Sequence, residues 1–501
     1  MKIRWALLGV LSPLLLVACS PSTTQDKPSA AAAAAPASAS TAAVCDKERA
    51  GPAAAPAGAV AVDPNVVGDL IAKTKAGPAG TTFWLAPGTH RLGSGNYDQV
   101  MPKDGDVYVG APGAIVDGGH VNQYAFTGHA QNVRIQHLTV QDFDAPHDEG
   151  VVNHDSGDGW VIEDNTVQHN SGAALMAGAR QQVIGNCLRE NGQYGMNAYK
   201  GDGTITGLVV QGNEIAGNNT DDWETKSPGC GCSGGIKFWA VNGADVRGNW
   251  VHDNRGVALW ADTNNNDFLI EGNVIENNDS AAIEYETSYN ATIRDNTIRR
   301  NNWVDGRKYA DRGDSFPIAT IYISESGGEP RVPARTASLD IEGNVLQDNW
   351  SGITLWENAD RFCNSPANTS SGTCTLVQPD AAKCAQPGIA TEPLYSDCRW
   401  KTKNVDIHDN RFELDPAVVN CQVTCGRMAL LSNYGTYPDW SPYQGDVVQE
   451  AITSNQHNQW HDNTYSGPWT FVSSDTSQIL DSFQWQGAQQ QDQGSTFTKG
   501  G

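Results

Sequence analysis

One recurring phrase constrains the fold of this chain more than any other feature: an apolar residue, any residue, Gly or Asp, Asn, any residue, an apolar residue, and then a second Asn shortly after. It reads VIEDNTVQHN ending at Asn170, VIGNCLREN at Asn191, VVQGNEIAGN at Asn218 and VRGNWVHDN at Asn254. It returns as LIEGNVIENN, TIRDNTIRRN and DIEGNVLQDN, with DIHDNRFELD and WHDNTYSG as later relatives. The first Asn of each copy stands at 165, 186, 213, 249, 273, 296, 344, 410 and 463, so the shortest spacings are 21, 23 and 24 residues. A period of this length with three short β runs per copy does not suit a helical solenoid. It suits a coil that gives one strand to each of three sheets and stacks ~4.8 Å above its predecessor. Asn tolerates the left-handed backbone of a tight corner, and stacked Asn side chains can hydrogen-bond from coil to coil. With 52 Gly and only 18% charged residues, long amphipathic helices are hard to build from this composition.

The repeat, together with the opening TTFWLAPGTHRL and VYVGAPGAIVDGG, resembles the right-handed parallel β-helix superfamily, the pectate-lyase-like fold, over roughly Thr81 to Ser466. The expected fold is all-β: a single-domain right-handed parallel β-helix solenoid over residues 61–465, with long loop insertions flanking one sheet. A C-terminal cap and a loose Gln-rich tail (GAQQQDQG) are expected over 466–501. The superfamily hosts lyases, hydrolases, epimerases and binding proteins, so the resemblance does not name a reaction.

The first segment reads as an address. Lys2 and Arg4 precede an apolar stretch from Trp5 to Ala18, the pattern of a cleaved export signal and short for a bilayer span. Leu16-Val17-Ala18-Cys19 resembles the lipobox of bacterial lipoproteins, which implies a signal peptide over 1–18 and diacylation of the Cys19 thiol. The alternative is an ordinary signal with a chance Cys. Ser20 after the Cys points to the outer membrane of a Gram-negative cell, so the expected location is the cell envelope, with the membrane reached only through the N-terminal lipid. Residues 19–60, rich in Ala, Pro, Ser and Thr, hold too little large apolar surface to offset their ordering entropy and are expected to form a flexible tether. Of 11 Cys, ten remain for disulfides in an oxidising compartment. They crowd as Cys363, Cys374, Cys384 and Cys398, as Cys421 and Cys425, and as Cys230 and Cys232. A thiolate zinc site is the alternative, although it lacks paired C-x-x-C spacing. A net charge of −24 repels phosphate backbones and argues against a nucleic-acid partner. A monomer is expected.

After each second Asn comes a third run: LMAG from Leu175, MNAYK from Met196, IKFWA from Ile236, LWADT from Leu259, IEYET from Ile283, IYISE from Ile321 and ITLWE from Ile353. Strand side chains alternate faces. If the aliphatic openers point inward, the outward residues are Asn197, Tyr199, Lys237, Trp239, Trp260, Asp262, Glu284, Glu286, Tyr322, Ser324, Thr354 and Trp356. One face thus gathers two Tyr, three Trp, three carboxylates and a Lys. Insertions at 218–233, 302–316, 325–335 and 358–403 all adjoin this strand and would wall a groove along it. Exposed rings in a groove fit the apolar faces of sugars, which makes a polysaccharide the expected partner and Asn197, Tyr199, Trp239, Trp260, Tyr322 and Trp356 the expected substrate-binding residues. The bland alternative for each ring is packing against a loop.

Asp262, Glu284, Glu286 and Lys237 are the candidate catalytic residues, and they admit three readings. Close carboxylates resist ionising together, which supplies an acid plus a base or nucleophile for glycoside hydrolysis, the favoured reading. Asp262 beside Glu286, at about 5 Å, would favour retention, and Glu284 with Glu286 along one strand, at about 7 Å, inversion. No cofactor is required for hydrolysis. The second reading is a calcium-dependent polysaccharide lyase with Lys237 as base, since superfamily lyases often use Ca²⁺ to neutralise a uronate; against it, three acids hold one Lys protonated and repel an acidic glycan. The third is a non-catalytic glycan-binding or adhesion protein. His147, His154, Asp155 and Asp158 form a weaker candidate metal site, because turn chemistry explains DSGDG equally well.

Overall fold

The computed structural model describes residues 43–47, 49–201, 203–228, 231–358, 361–365, 374–421, 424–430 and 455–498. The expected signal peptide, the lipidated Cys19, most of the tether and Cys230 lie outside the described residues. Three parallel sheets wind around one apolar core. Sheet A has 13 strands from Val60–Val62 to Gln459–His461, sheet B has 13 ending at Thr496–Thr498, and sheet C has ten from Gly150–Val152 to Thr470–Val472. From the strand Gly150–Val152 onward the coils run A to B to C, as in Val161–Glu163, Thr166–Gln168 and Ala173–Met176, while the first coils give strands to A and B alone.

The Asn repeat forms the corners. At the A-to-B corner Asn165 Nδ2 donates to Asn186 Oδ1 at 3.1 Å, Asn186 to Asn213 at 3.0 Å and Asn213 to Asn249 at 2.9 Å, and the chain of bonds continues to Asn463. A second ladder from Asn170 to Asn349 marks the B-to-C corner. One detail differs from expectation. The left-handed residue is the one before each Asn, namely Asp164 (φ 55°), Gly185 (φ 62°) and Asp295 (φ 55°) among others. The Asn itself turns inward and is buried, where both its amide and its backbone N–H join the ladder.

Both ends are more ordered than expected. Cys45 is disulfide-bonded to Cys187, so the described chain is fixed to the solenoid well before residue 60. At the other end, the Gln-rich segment closes the last coil. The helix Ser482–Ala488 carries a capping box of Asp481 and Gln484, and buried Asp492 accepts bonds from Trp485 Nε1 at 2.7 Å and Tyr465 Oη at 2.9 Å. The strand Thr496–Thr498 then pairs with Thr464–Ser466. Among the described residues no helix is long and apolar enough to cross a membrane.

Candidate functional site

Sheet C carries the predicted column in register. Asn197 pairs with Lys237, Lys237 with Trp260, Trp260 with Glu284, Glu284 with Tyr322, and Tyr322 with Thr354. A second row runs alongside, with Glu286 opposite Ser324 and Ser324 opposite Trp356. Asp262 lies one residue past the pair Ala261–Tyr285 and so falls beside Glu286. The alternate residues Ile236, Leu259, Ile283, Ile321 and Ile353 are buried in the core, which fixes the column on the outer face.

The charged side chains organise into two ion pairs around one carboxyl. Lys237 Nζ stands 3.0 Å from Asp262 Oδ2 and donates to Gly231 O at 2.7 Å, and it lies 4.2 Å from the centroid of Trp260. Arg361, from the long Cys-rich insertion, pairs with Glu286, whose other oxygen accepts from Trp260 Nε1 at 3.0 Å. Glu284 lies between the two pairs and is half-buried. Burial, then the neighbouring charges of Glu286 and Asp262, push its pKa well above the ordinary carboxylate range, while Lys237 and Arg361 pull it back. It opens on a cavity of about 220 Å³ shared with Tyr309, Phe316 and Tyr322, closed on one side by the helix Trp303–Asp311 of the second insertion.

Glu325 and Arg361 were not found from the sequence. Strand alternation turns Glu325 inward, but it takes the left-handed conformation (φ 43°) and leaves the alternation. Its fully buried carboxylate accepts from Asn358 N at 3.0 Å and from Ser324 Oγ, and faces Arg361 at 3.5 Å. Burial raises its pKa to about 7 against the pull of Arg361. Arg361 gives no local signal, because its insertion is cross-linked within itself by Cys363–Cys374 and Cys384–Cys398 and is tied to the coils through Asn264, which donates to Cys374 O at 2.6 Å and accepts from Trp400 Nε1 at 3.1 Å.

The aromatic residues divide. Tyr199, which is 45% exposed, and Trp239 line a cavity of about 460 Å³ with Asn197, Lys237 and His147. Trp260 is covered by Gly231: at φ +57° that residue has no side chain, and a Cβ there would stand 2.4 Å from the ring. Tyr322 and Trp356 lie 6.4 Å apart with Phe316 edge-on to both, so loop packing occupies much of their outer faces. For these three rings the open sugar platform expected from the sequence is partly roofed.

The metal expectations fare as follows. Two of the three column carboxylates are at ion-pair distance of Lys237 and Arg361, so they do not present the oxygen cage a calcium ion takes, and no step is derived through one. His147 and His154 lie in one cavity of about 590 Å³ with Asp155, but His147 Nδ1 bonds Asp148 at 2.9 Å and Asp158 is taken by Lys200 at 3.1 Å. Among the described residues the one group with metal-ligand spacing is Cys363, Cys374 and Cys384, and all three are disulfide-bonded.

A family model described as the right-handed β-helix region matches residues 149–332. No curated protein matches the sequence. Among solved structures, the A-module of a mannuronan C-5 epimerase from Azotobacter vinelandii is 13% identical, covering 77% of this chain and 97% of its own, with a TM-score of 0.45. An alginate lyase solved in complex with G6 is 11% identical over 89% of this chain and 85% of its own, with a TM-score of 0.41. The catalytic domain of a GH87 α-1,3-glucanase is 11% identical over 62% and 66%, with a TM-score of 0.33. The chain is a right-handed parallel β-helix, and likenesses this distant carry no argument about its chemistry.

Proposed function

We propose that the protein is an exported, lipid-anchored carbohydrate-active enzyme that hydrolyses glycosidic bonds of a polysaccharide lying along sheet C. The observation that carries this reading is the carboxyl triplet. Glu284 is held towards its neutral form, while Asp262 and Glu286 each face a cation. One protonated acid beside one paired carboxylate is the division of labour that glycoside hydrolysis needs. Glu284 then protonates the leaving oxygen and Glu286 serves as general base to a water. Their Cα positions, two residues apart on one strand, are about 7 Å apart, and Asp262 lies about 8 Å diagonally from Glu284. Carboxyl groups held apart by distances of this order leave room for water, the arrangement that favours inversion.

Lys237 supports hydrolysis over elimination. Its ammonium already engages Asp262, the Gly231 carbonyl and the Trp260 ring, so acting as a base would require it to surrender all three. With Glu284 biased towards its neutral form, the cations Lys237 and Arg361 stand against Asp262 and Glu286, and such a groove suits a neutral glycan.

A panel of polysaccharides incubated with the oxidised chain tests this. New reducing ends without the ultraviolet absorbance of an unsaturated uronate support hydrolysis. Absorbance would mean a lyase, and binding without cleavage would mean a glycan-binding protein.

A further inference from the structure

The segment before the first coil is more than a linker. Val44 and Cys45 donate their backbone N–H groups to Glu214 at 2.5 and 2.9 Å, and Cys45 is bonded to Cys187. Arg49 pairs with Asp164. Gly51 lies against the corner of Gly110 and His137, where a Cβ would meet Gly110 O at 2.1 Å. Pro52 O accepts from Trp84 Nε1 at 2.9 Å. These partners belong to successive coils, from the strand Glu214–Ala216 of sheet B back to the strand Thr82–Leu85 of sheet A. Six coils stacked at ~4.8 Å span about 24 Å, which eight residues cover only when nearly extended. Residues 44–47 and 49–52 therefore run as a strap along the solenoid axis, across the A-to-B corner that holds the first Asn ladder.

In a three-sheet prism the corner between two sheets faces away from the third. The geometry points to an orienting role: the strap fixes where the N-terminal segment joins the body, several coils in from the end and on the edge opposite sheet C. Because the expected tether after Cys19 lets the body turn, a lipid there draws the A-to-B corner towards the bilayer more often than the opposite sheet, which biases the groove with Glu284 away from the membrane and leaves it open to a long polymer. This rests on the anchoring reading and not on the hydrolase reading. Glu214 is suited to its part. It accepts two strap N–H groups and His252 Nε2 at 3.3 Å, and these bonds hold its carboxylate ionised and facing the strap despite its burial. The disulfide makes the attachment covalent, so a pull on the tether is borne by the Cys187 coil and not by the terminal coil.

Two measurements test the proposal. Hydrogen exchange on the oxidised chain is expected to show slow exchange at Val44, Cys45 and the neighbouring strap amides, and loss of that protection in a Cys45→Ser/Cys187→Ser double variant or after mild reduction. Free exchange across 44–52 in the oxidised wild type would overturn the strap itself, whatever the anchor does. For orientation, the chain is attached by its N-terminal residue to vesicles bearing a headgroup quencher and labelled at Gln211→Cys, near the corner, or at Tyr199→Cys, in the groove. Stronger quenching at 211 than at 199, with the difference lost on reduction, is the expected result. Equal or stronger quenching at 199 with an intact strap would overturn the outward-facing groove. Should the double variant fail to fold, Glu214→Gln, which keeps the disulfide, serves for the exchange arm, with faster exchange expected at Val44 and Cys45.

Discussion

The Lys237 ammonium stands 3.0 Å from the Asp262 carboxylate, one coil before Glu284, and the Arg361 guanidinium closes on Glu286 two residues beyond Glu284. The two cations pair with the outer members of the acidic triplet and leave the middle one without a cation of its own, so burial first, and then the two neighbouring carboxylates, hold Glu284 towards its neutral form. The proposed acid–base division rests on that asymmetry: one buried carboxyl biased towards its neutral form beside two that face cations.

Glu284→Gln is therefore expected to lower kcat by ~10²–10⁴ on a natural glycan, the usual contribution of a positioned acid. The loss should shrink on an aryl glycoside whose leaving group needs no proton. Glu286→Gln should be equally damaging on both substrates, since its role as base is independent of the leaving group. If Glu284→Gln lost equal activity on both, Glu284 would not be the proton donor.

Replacing Lys237 by Met separates the two bond-breaking chemistries. In hydrolysis Lys237 acts only through Asp262 and the Trp260 face, so activity is expected to fall by about tenfold, roughly the 1–1.5 kcal/mol of one charge-assisted contact. Complete loss of turnover with retained glycan binding would instead assign Lys237 as the base of an elimination.

The corner phrase made the coils, the three sheets and the outer face legible, because a period-two pattern within each strand and an Asn at two corners of each repeat are local properties. Even so, the sequence could not say that the residue before each Asn, and not the Asn, takes the left-handed turn. The electrostatic partners were less legible. Arg361 reaches Glu286 from 75 residues away along the chain, and Glu325 escapes strand alternation by one unusual dihedral. Phe316, which roofs Tyr322 and Trp356, likewise comes from an insertion whose path no periodicity describes.

Glu325 gives a signature in stability against pH. Folding raises its carboxyl from the ordinary 4.5 to about 7, so the folded chain binds this proton more tightly than the unfolded chain. Its contribution is fully present below pH 4.5 and is lost as pH rises through about 7, an effect of roughly 3 kcal/mol. Glu284 acts in the same direction. Denaturant midpoints of Glu325→Gln are expected to fall less steeply than wild type over this window, and identical slopes would remove Glu325 from the account.

Arg361→Gln should behave oppositely with pH. It leaves Glu286 and Glu325 facing each other without a cation, and uncompensated buried charge costs about 3 kcal/mol, the lower end of the range because the Arg361 side chain is 23% exposed. At pH 5 Glu325 holds its proton with or without Arg361 and the penalty is small; at pH 8 the wild type ionises it against Arg361, whereas the variant must either keep the proton or leave the charge unpaired. The destabilisation measured by urea unfolding should therefore be larger at pH 8, and a pH-independent loss would point to simple packing.

The Asn ladder makes the last prediction. Asn249 Nδ2 donates to Val210 O at 3.0 Å and to Asn273 Oδ1 at 2.9 Å, while its Oδ1 accepts from Asn213 N and Asn213 Nδ2 at 3.0 and 2.9 Å. An Asp at this position keeps the acceptor and loses both donors, so two acceptor oxygens of neighbouring coils would confront a carboxylate. Each orphaned buried group costs ~1–3 kcal/mol. Asn249→Asp is therefore expected to destabilise the chain by several kcal/mol at pH 7 and by less at pH 4, where a protonated carboxyl restores one donor. Asn249→Ala should show a loss without that pH dependence. Equal midpoints for Asn249→Asp and wild type at pH 7 would mean that the amide donors do not hold the coils in register, and that the backbone ladders of the three sheets suffice.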